Sequence, residues 1–200
     1  METKLVSGVS TDGRAEAILD AASRLFLGPG RVSMDELARE LGMAKKTIYR
    51  HFPDRQALLT AVLDRQFGAI ERAVLAAEQE TRGRPFADRM RGFLLAACGE
   101  LTQIGAAQLA VGRGGDPEVR RHVEQRFDAV VYQPLDALFQ EGHREGFLSA
   151  PPELLGEITR GALERLLNSR LPGELNRTAA DLLRTTVDTV LHGAIREGCP

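Results

Sequence analysis

The sequence predicts an all-α protein of about nine helices. Three observations carry this. Apolar residues recur three and four apart through almost the whole chain, and no segment keeps a strand-like alternation. The composition is rich in Ala, Leu, Arg and Glu, with no Trp and only 2 Tyr among 200 residues. Gly and Pro gather in short groups that punctuate the apolar stripes: Gly28-Pro29-Gly30, Arg82-Gly83-Arg84-Pro85, Gly114-Gly115, Pro151-Pro152 and Pro172-Gly173.

Residues 1–13 are polar and unpatterned, and are expected to form a loose arm. A first helix over Arg14 to Leu27 buries Ala15, Ile18, Leu19, Ala22, Leu25 and Phe26, and Gly28-Pro29-Gly30 ends it. Ser33 and Glu36 have the spacing of a capping box, in which the hydroxyl and the carboxylate satisfy each other's backbone N–H. Met34, Leu37, Ala38 and Leu41 continue that helix, and Gly42 stops it because glycine enters the left-handed region without a Cβ penalty. A second short helix follows, with Ile48 and Phe52 as its inward pair, and Pro53 closes the segment.

The remaining helices follow in turn. Asp54 caps a long fourth helix reaching Thr81, with Leu58, Leu59, Val62, Phe67, Ile70, Val74 and Leu75 as its stripe. A fifth spans Phe86 to Ile104 and a short sixth Ala106 to Arg113. Asp116-Pro117 opens a seventh, running to Glu145 with a kink expected at Pro134. Helices eight (Glu153 to Ser169) and nine (Arg177 to Arg196) complete the chain.

Two short helices joined by a Gly-containing turn describe a helix-turn-helix. The second exposes Lys45, Lys46, Thr47, Tyr49, Arg50 and His51. Residues 44–55 carry four basic side chains (Lys45, Lys46, Arg50, Arg55) against Asp54, although the whole chain has a net charge of −2. Positive charge is thus focused on one short helix, the electrostatic footprint of a double-stranded DNA reader. In a major groove, Lys45, Lys46 and Thr47 would lie where base edges are reachable, with Tyr49, His51 and Arg55 placed for phosphate.

The stretch Arg14 to Asp64 resembles the DNA-binding domain of the TetR family of bacterial transcriptional regulators. The resemblance rests on Ile18-Leu19-x-Ala21-Ala22, Leu25-Phe26, Ser33-x-Asp35-x-Leu37-Ala38, Gly42, Thr47-Ile48-Tyr49-x-His51-Phe52 and Arg55-x-Ala57-Leu58-Leu59. It covers about the first third of the chain; beyond residue 67 only the layout of helices agrees. It implies a DNA-binding domain over residues 14–67 and a larger helical ligand-binding and dimerisation bundle over 68–200. It also implies that Lys45, Lys46, Thr47 and Tyr49 approach bases or backbone, and that Ser33, His51 and Arg55 hold phosphates; Met34 and Arg50 complete the expected interface. Asp35 is a departure: tetracycline-responsive members place a basic, base-reading residue there, so their operator does not transfer.

The resemblance further implies a homodimer that binds a palindromic operator, represses transcription, and is released by a small effector. A single recognition helix reads only a few base pairs, so two half-sites about 34 Å apart give useful specificity. The expected dimer face is Leu155, Ile158, Ala162 and Leu166 of helix eight with Leu183, Val187, Val190 and Ala194 of helix nine. Expected cavity residues are Met90, Phe93, Leu94, Cys98, Gln103, Ile104, Gln108, Leu109, Phe127, Val131, Tyr132, Leu163 and Asn168. Taken singly, each is more often a packed core residue than a ligand contact. Sparse charge on these faces points to an apolar or amphipathic effector. An effector-independent DNA-binding or architectural regulator is the alternative.

No phosphate-binding loop, nucleophile elbow or triad spacing is present, so no enzymatic activity and no cofactor are expected. Glu118/His122 and Asp188/His192 put a carboxylate one turn from an imidazole, the spacing of surface pairs and too few ligands for a metal. Cys98 and Cys199 make no disulfide framework, and Cys98 reads as an inert core residue. With no signal-peptide pattern and no apolar run of the ~20 residues a bilayer requires, a cytoplasmic protein without membrane contact is expected.

Overall fold

The computed structural model describes residues 11–26, 33–114, 116–167 and 171–196. Among them the secondary structure is helical apart from one isolated bridge, Leu148 to Ile195. Ten α-helices follow one another: α1 (Thr11–Phe26), α2 (Met34–Leu41), α3 (Lys45–His51), α4 (Arg55–Thr81), α5 (Phe86–Gly114), α6 (Pro117–Phe127), α7 (Gln133–Arg144), α8 (Pro152–Leu167), α9 (Leu171–Glu174) and α10 (Ala179–Ala194). The all-α class read from the sequence is the class observed.

The chain divides into two compact units, residues 1–63 and 64–200. In the first, Ile18, Ala21 and Ala22 of α1, Leu37 and Ala38 of α2, Ile48 of α3 and Leu58, Leu59 and Val62 of α4 are all buried. The ends of its helices are chemically specified. Ser33 N–H donates to Glu36 Oε2 at 2.9 Å while Glu36 N–H donates to Ser33 Oγ at 3.2 Å, the reciprocal pair of a capping box. Gly42 takes φ 59°, and Met43 N–H returns to the Ala38 carbonyl at 3.0 Å. Asp54 Oδ1 accepts from Ala57 N–H at 2.7 Å at the start of α4. Ser33→Ala is expected to lower unfolding stability by about 1 kcal/mol, measured by denaturant melts.

The second unit is organised around α5, which packs against α10, α8, α7 and α6. Its core joins Phe86, Met90, Phe93, Leu94 and Cys98 of α5 to Leu135 and Phe139 of α7, Leu155 and Leu163 of α8, and Leu183, Val187, Leu191 and Ala194 of α10. Burial pushes the Cys98 thiol up to about 12, so it stays protonated and unreactive at neutral pH. At Gly142 an added Cβ would lie 2.4 Å from the Phe86 ring, so that α7 reaches α5 only because this residue has no side chain. Gly142→Ala is expected to cost about 1–3 kcal/mol of unfolding free energy.

Several elements differ from expectation, each for a local reason. Helix α1 starts at Thr11, inside the expected arm; residues 1–10 and Gly28-Pro29-Gly30 lie outside the described residues. The expected fifth and sixth helices are one, α5. Gly105 alone supplies no turn chemistry, and a single glycine costs a helix only about 1 kcal/mol. The disturbance expected at Pro134 takes the form of a π-turn over Asp128–Tyr132 that links α6 to α7. Proline cannot donate and its ring crowds the preceding turn; widening that turn absorbs the extra residue without breaking the helix. Pro172-Gly173 is not a plain break but part of the short α9, since proline is tolerated in a first helical turn. His122 and Asp188 also make contacts between helices that the i, i+4 spacings did not reveal: His122 reaches Asp64 of α4 at 2.8 Å, and Asp188 pairs with Arg91 of α5 at 2.8 Å.

Candidate nucleic-acid interface and effector cavity

Helix α3 is held from one side only. Ile48 is 0% exposed and Phe52 is buried, while Lys45, Lys46, Tyr49 and Arg50 face solvent, Tyr49 at 44% exposure. An exposed tyrosine ring beside two lysines and an arginine is a cationic face with an aromatic, hydrogen-bonding element within it. Thr47 and Met34 are half-buried, and Ser33 and Arg55 are exposed. His51 is half-buried, and its Nε2 is enclosed without a hydrogen-bond partner among the described residues. That nitrogen is therefore turned inward, less available for phosphate than the lysines.

Asp35 has a role that its position in the sequence did not reveal. Its carboxylate pairs with the Lys45 ammonium, linking α2 to α3. The same carboxylate neutralises part of the cationic face. Asp35→Ala is therefore expected to raise affinity for duplex DNA by about threefold to tenfold and relax sequence preference, as read by fluorescence anisotropy.

In the second unit a cavity of ≈ 260 Å³ opens between α4, α5 and α7. Val74, Phe93, Pro134 and Leu138 give it apolar walls, while Glu78, Arg89 and Glu141 give it a charged rim. Arg89 and Glu141 form a two-pronged pair, with Nη2 donating to Oε2 at 3.0 Å, that joins α5 to α7. The Arg89 guanidinium holds the Glu141 carboxyl below its usual range. A depressed carboxylate pKa stabilises the fold above its unfolded value, and that contribution is lost as the pH falls through the folded one. Thermal melts of the wild type and Glu141→Gln should therefore differ at neutral pH and converge as the pH falls below the ordinary carboxylate range.

Of the residues expected to line a cavity, Phe93 does so here. Phe127 and Tyr132 line a second, ≈ 210 Å³ cavity against α8. Met90, Leu94, Cys98 and Leu163 pack into the core, Val131 is buried, and none of the five lines either cavity. The side chains of Gln103, Ile104, Gln108 and Leu109, and Asn168, fall outside the described residues. The residues missed (Val74 and Glu78; Pro134, Leu138 and Glu141) do repeat at one-turn spacing, and the signal available was a lone opposite charge, Arg89 and Glu141, on two largely apolar faces. Among the expected dimer residues, Leu155, Leu183, Val187 and Ala194 belong to this unit's own core. Ala162, Leu166 and Val190 are half-buried, and Ile158 is 49% exposed beside the exposed Leu154.

Residues 18–62 match the family model described as bacterial regulatory proteins, tetR family. Over this stretch the amino-terminal unit is similar to the tetR family. Curated relatives agree: two strains of Mycobacterium tuberculosis carry an HTH-type transcriptional regulator 37% identical over 75 residues, 36% of this chain. The match spans 37% of those relatives' length, a little over a third. Solved structures extend the likeness to the whole fold. A putative transcriptional regulator from Saccharomonospora viridis, in complex with choline, superposes with a TM-score of 0.74 at 19% identity, covering 93% of this chain and 100% of that one. AibR, in complex with isovaleryl coenzyme A and operator DNA, superposes with a TM-score of 0.66 at 20% identity, covering 88% and 97%. The tetR-type unit is thus followed by a helical unit whose fold recurs in ligand-bound regulators. No helix among the described residues is long and apolar enough to cross a membrane.

Proposed function

We propose that the chain is a ligand-responsive, DNA-binding transcriptional regulator that acts as a homodimeric repressor on a palindromic operator. The observation that carries this is the division of α3 into a buried side, Ile48 and Phe52, and a cationic outer side, Lys45, Lys46, Tyr49 and Arg50. Lys45, Lys46 and Thr47 read base edges, and Tyr49, Arg50, Arg55 and the Ser33 hydroxyl engage phosphates. Two copies pair through the outer side of α8, where Leu154 and Ile158 are exposed, so that two recognition helices meet successive grooves.

The effector enters the cavity between α4, α5 and α7. Its apolar part lies along Val74, Phe93 and Leu138, and its polar end disturbs the Arg89–Glu141 pair. That pair is the clasp between α5 and α7, so loosening it changes their packing, and α4 is continuous from cavity wall to tetR-type unit. Induction requires the effector to favour the conformation that does not fit DNA. The ligand-bound and operator-bound neighbours support this reading at the level of fold.

Titrating full-length protein onto a mixed-sequence duplex tests the electrostatic half of the proposal. Affinity should fall by at least about a hundredfold between 50 and 200 mM salt, as expected when several phosphates are neutralised. A flat salt response would remove DNA as the partner. A ligand-independent affinity across a panel of medium-chain carboxylates and alcohols would favour an effector-independent regulator instead.

A further inference from the structure

The second unit contains another cavity, whose lining differs in chemistry from that at Arg89 and Glu141. We propose that the groove between α6, the π-turn and α8 binds a small organic ammonium ion. Its volume is ≈ 210 Å³, and Phe127 and Tyr132 provide its aromatic surface.

The π-turn makes this surface. In an uninterrupted α-helix, residues five apart point ~140° away from each other. Over Asp128–Tyr132 the turn closes from Gln133 N–H to the Asp128 carbonyl, five residues back. Tyr132 is thereby brought one turn above Phe127, and the two rings stack with centroids 6.1 Å apart and planes at 26°. The Tyr132 hydroxyl is then fixed by donating to Glu164 of α8 at 2.6 Å. With one face stacked on Phe127 and its hydroxyl held by Glu164, the Tyr132 ring is preorganised, and Arg160 lies over the ring.

Charge completes the site. Among the described residues, Glu124, Asp128 and Glu164 line the groove with Arg160 as the one cation, giving a surplus of negative charge beside the Tyr132 ring, against which Phe127 is stacked. Carboxylates with π-faces attract a soft, weakly hydrated cation. A hard metal ion would need a set of oxygen ligands, and no such group occurs among the described residues. The chain already shows the preference: the Arg160 guanidinium sits 4.1 Å from the Tyr132 ring centroid. Arg160 is also tied to Asp136 at 3.5 Å and Glu157 at 3.9 Å, so it can withdraw towards those carboxylates when another cation takes the ring. The guanidinium acts as a resident competitor.

The test is calorimetric titration of the full-length chain with tetramethylammonium chloride, compared with sodium chloride at equal ionic strength and with tert-butyl alcohol as a neutral shape mimic. Saturable binding of one tetramethylammonium per chain is expected, with neither control saturating. Glu164→Gln should weaken binding about fivefold, and Arg160→Gln should tighten it about threefold or more by removing the competitor. Thermal melts establish that both variants are folded. Tyr49→Phe leaves Tyr132 as the chain's single tyrosine in a sequence without tryptophan, so tyrosine emission then reports occupancy of the groove directly. Equal binding of tert-butyl alcohol, no saturation with tetramethylammonium, or an Arg160→Gln variant that binds no tighter overturns the proposal. None of these readouts involves DNA, so the outcome stands apart from the regulator reading above.

Discussion

Lys46→Ala combined with Tyr49→Ala is expected to reduce affinity for the protein's DNA site by at least about a hundredfold, with no change in thermal stability. Both side chains are exposed on α3, whereas Ile48 and Phe52 are buried beneath it. Removing the lysine deletes a donor for a base edge or phosphate, and removing the ring deletes a contact that a longer, flexible side chain cannot reproduce. In a dimer each loss counts twice. Anisotropy titrations at physiological salt, paired with circular-dichroism melts, separate lost recognition from lost folding. Full DNA affinity in a folded double variant would mean that α3 is not the recognition helix.

The largest stability loss is expected at Phe139. Its side chain is 1% exposed and belongs to the cluster that joins α5, α7, α8 and α10. Phe139→Ala removes most of a buried ring and leaves a void that four packed helices cannot close, at a cost of about 3–5 kcal/mol. Denaturant unfolding should show the midpoint falling sharply. The tetR-type unit has its own buried set around Ile18, Leu37, Ile48 and Leu58, so Phe139→Ala should leave its helical signal in place at denaturant concentrations that unfold the second unit. A single coincident transition, shifted by under 1 kcal/mol, would show that Phe139 does not anchor this core.

The two units differed in how much of them could be read from the sequence. In the first, every constraint is local. Ser33 and Glu36 are three residues apart, Gly42 follows directly on α2, and Ile48 and Phe52 are one turn apart, so capping, stopping and inward orientation are all visible in short windows. The Asp35–Lys45 pair escaped because it joins two helices across a turn. In the second unit the decisive relations are long-range. Arg89 and Glu141 are separated by 52 residues, and their pairing depends on which faces α5 and α7 turn to each other. Apolar stripes such as Leu155, Leu183 and Val187 were visible as stripes, but periodicity alone cannot distinguish a partner in the same chain from one in a second copy. The π-turn illustrates the same limit. Pro134 announced a disturbance, yet that it takes the form of a π-turn five residues long is decided by the packing around it.

Selection of bound duplexes from a random pool by the full-length protein, followed by sequencing, tests the central claim most directly. If α3 reads the major groove from two copies of the chain, the enriched sites are palindromes with half-sites about one helical turn apart, and Lys46→Ala with Tyr49→Ala erases the enrichment. A pool that emerges without enrichment, or enrichment that survives the double change, contradicts the account.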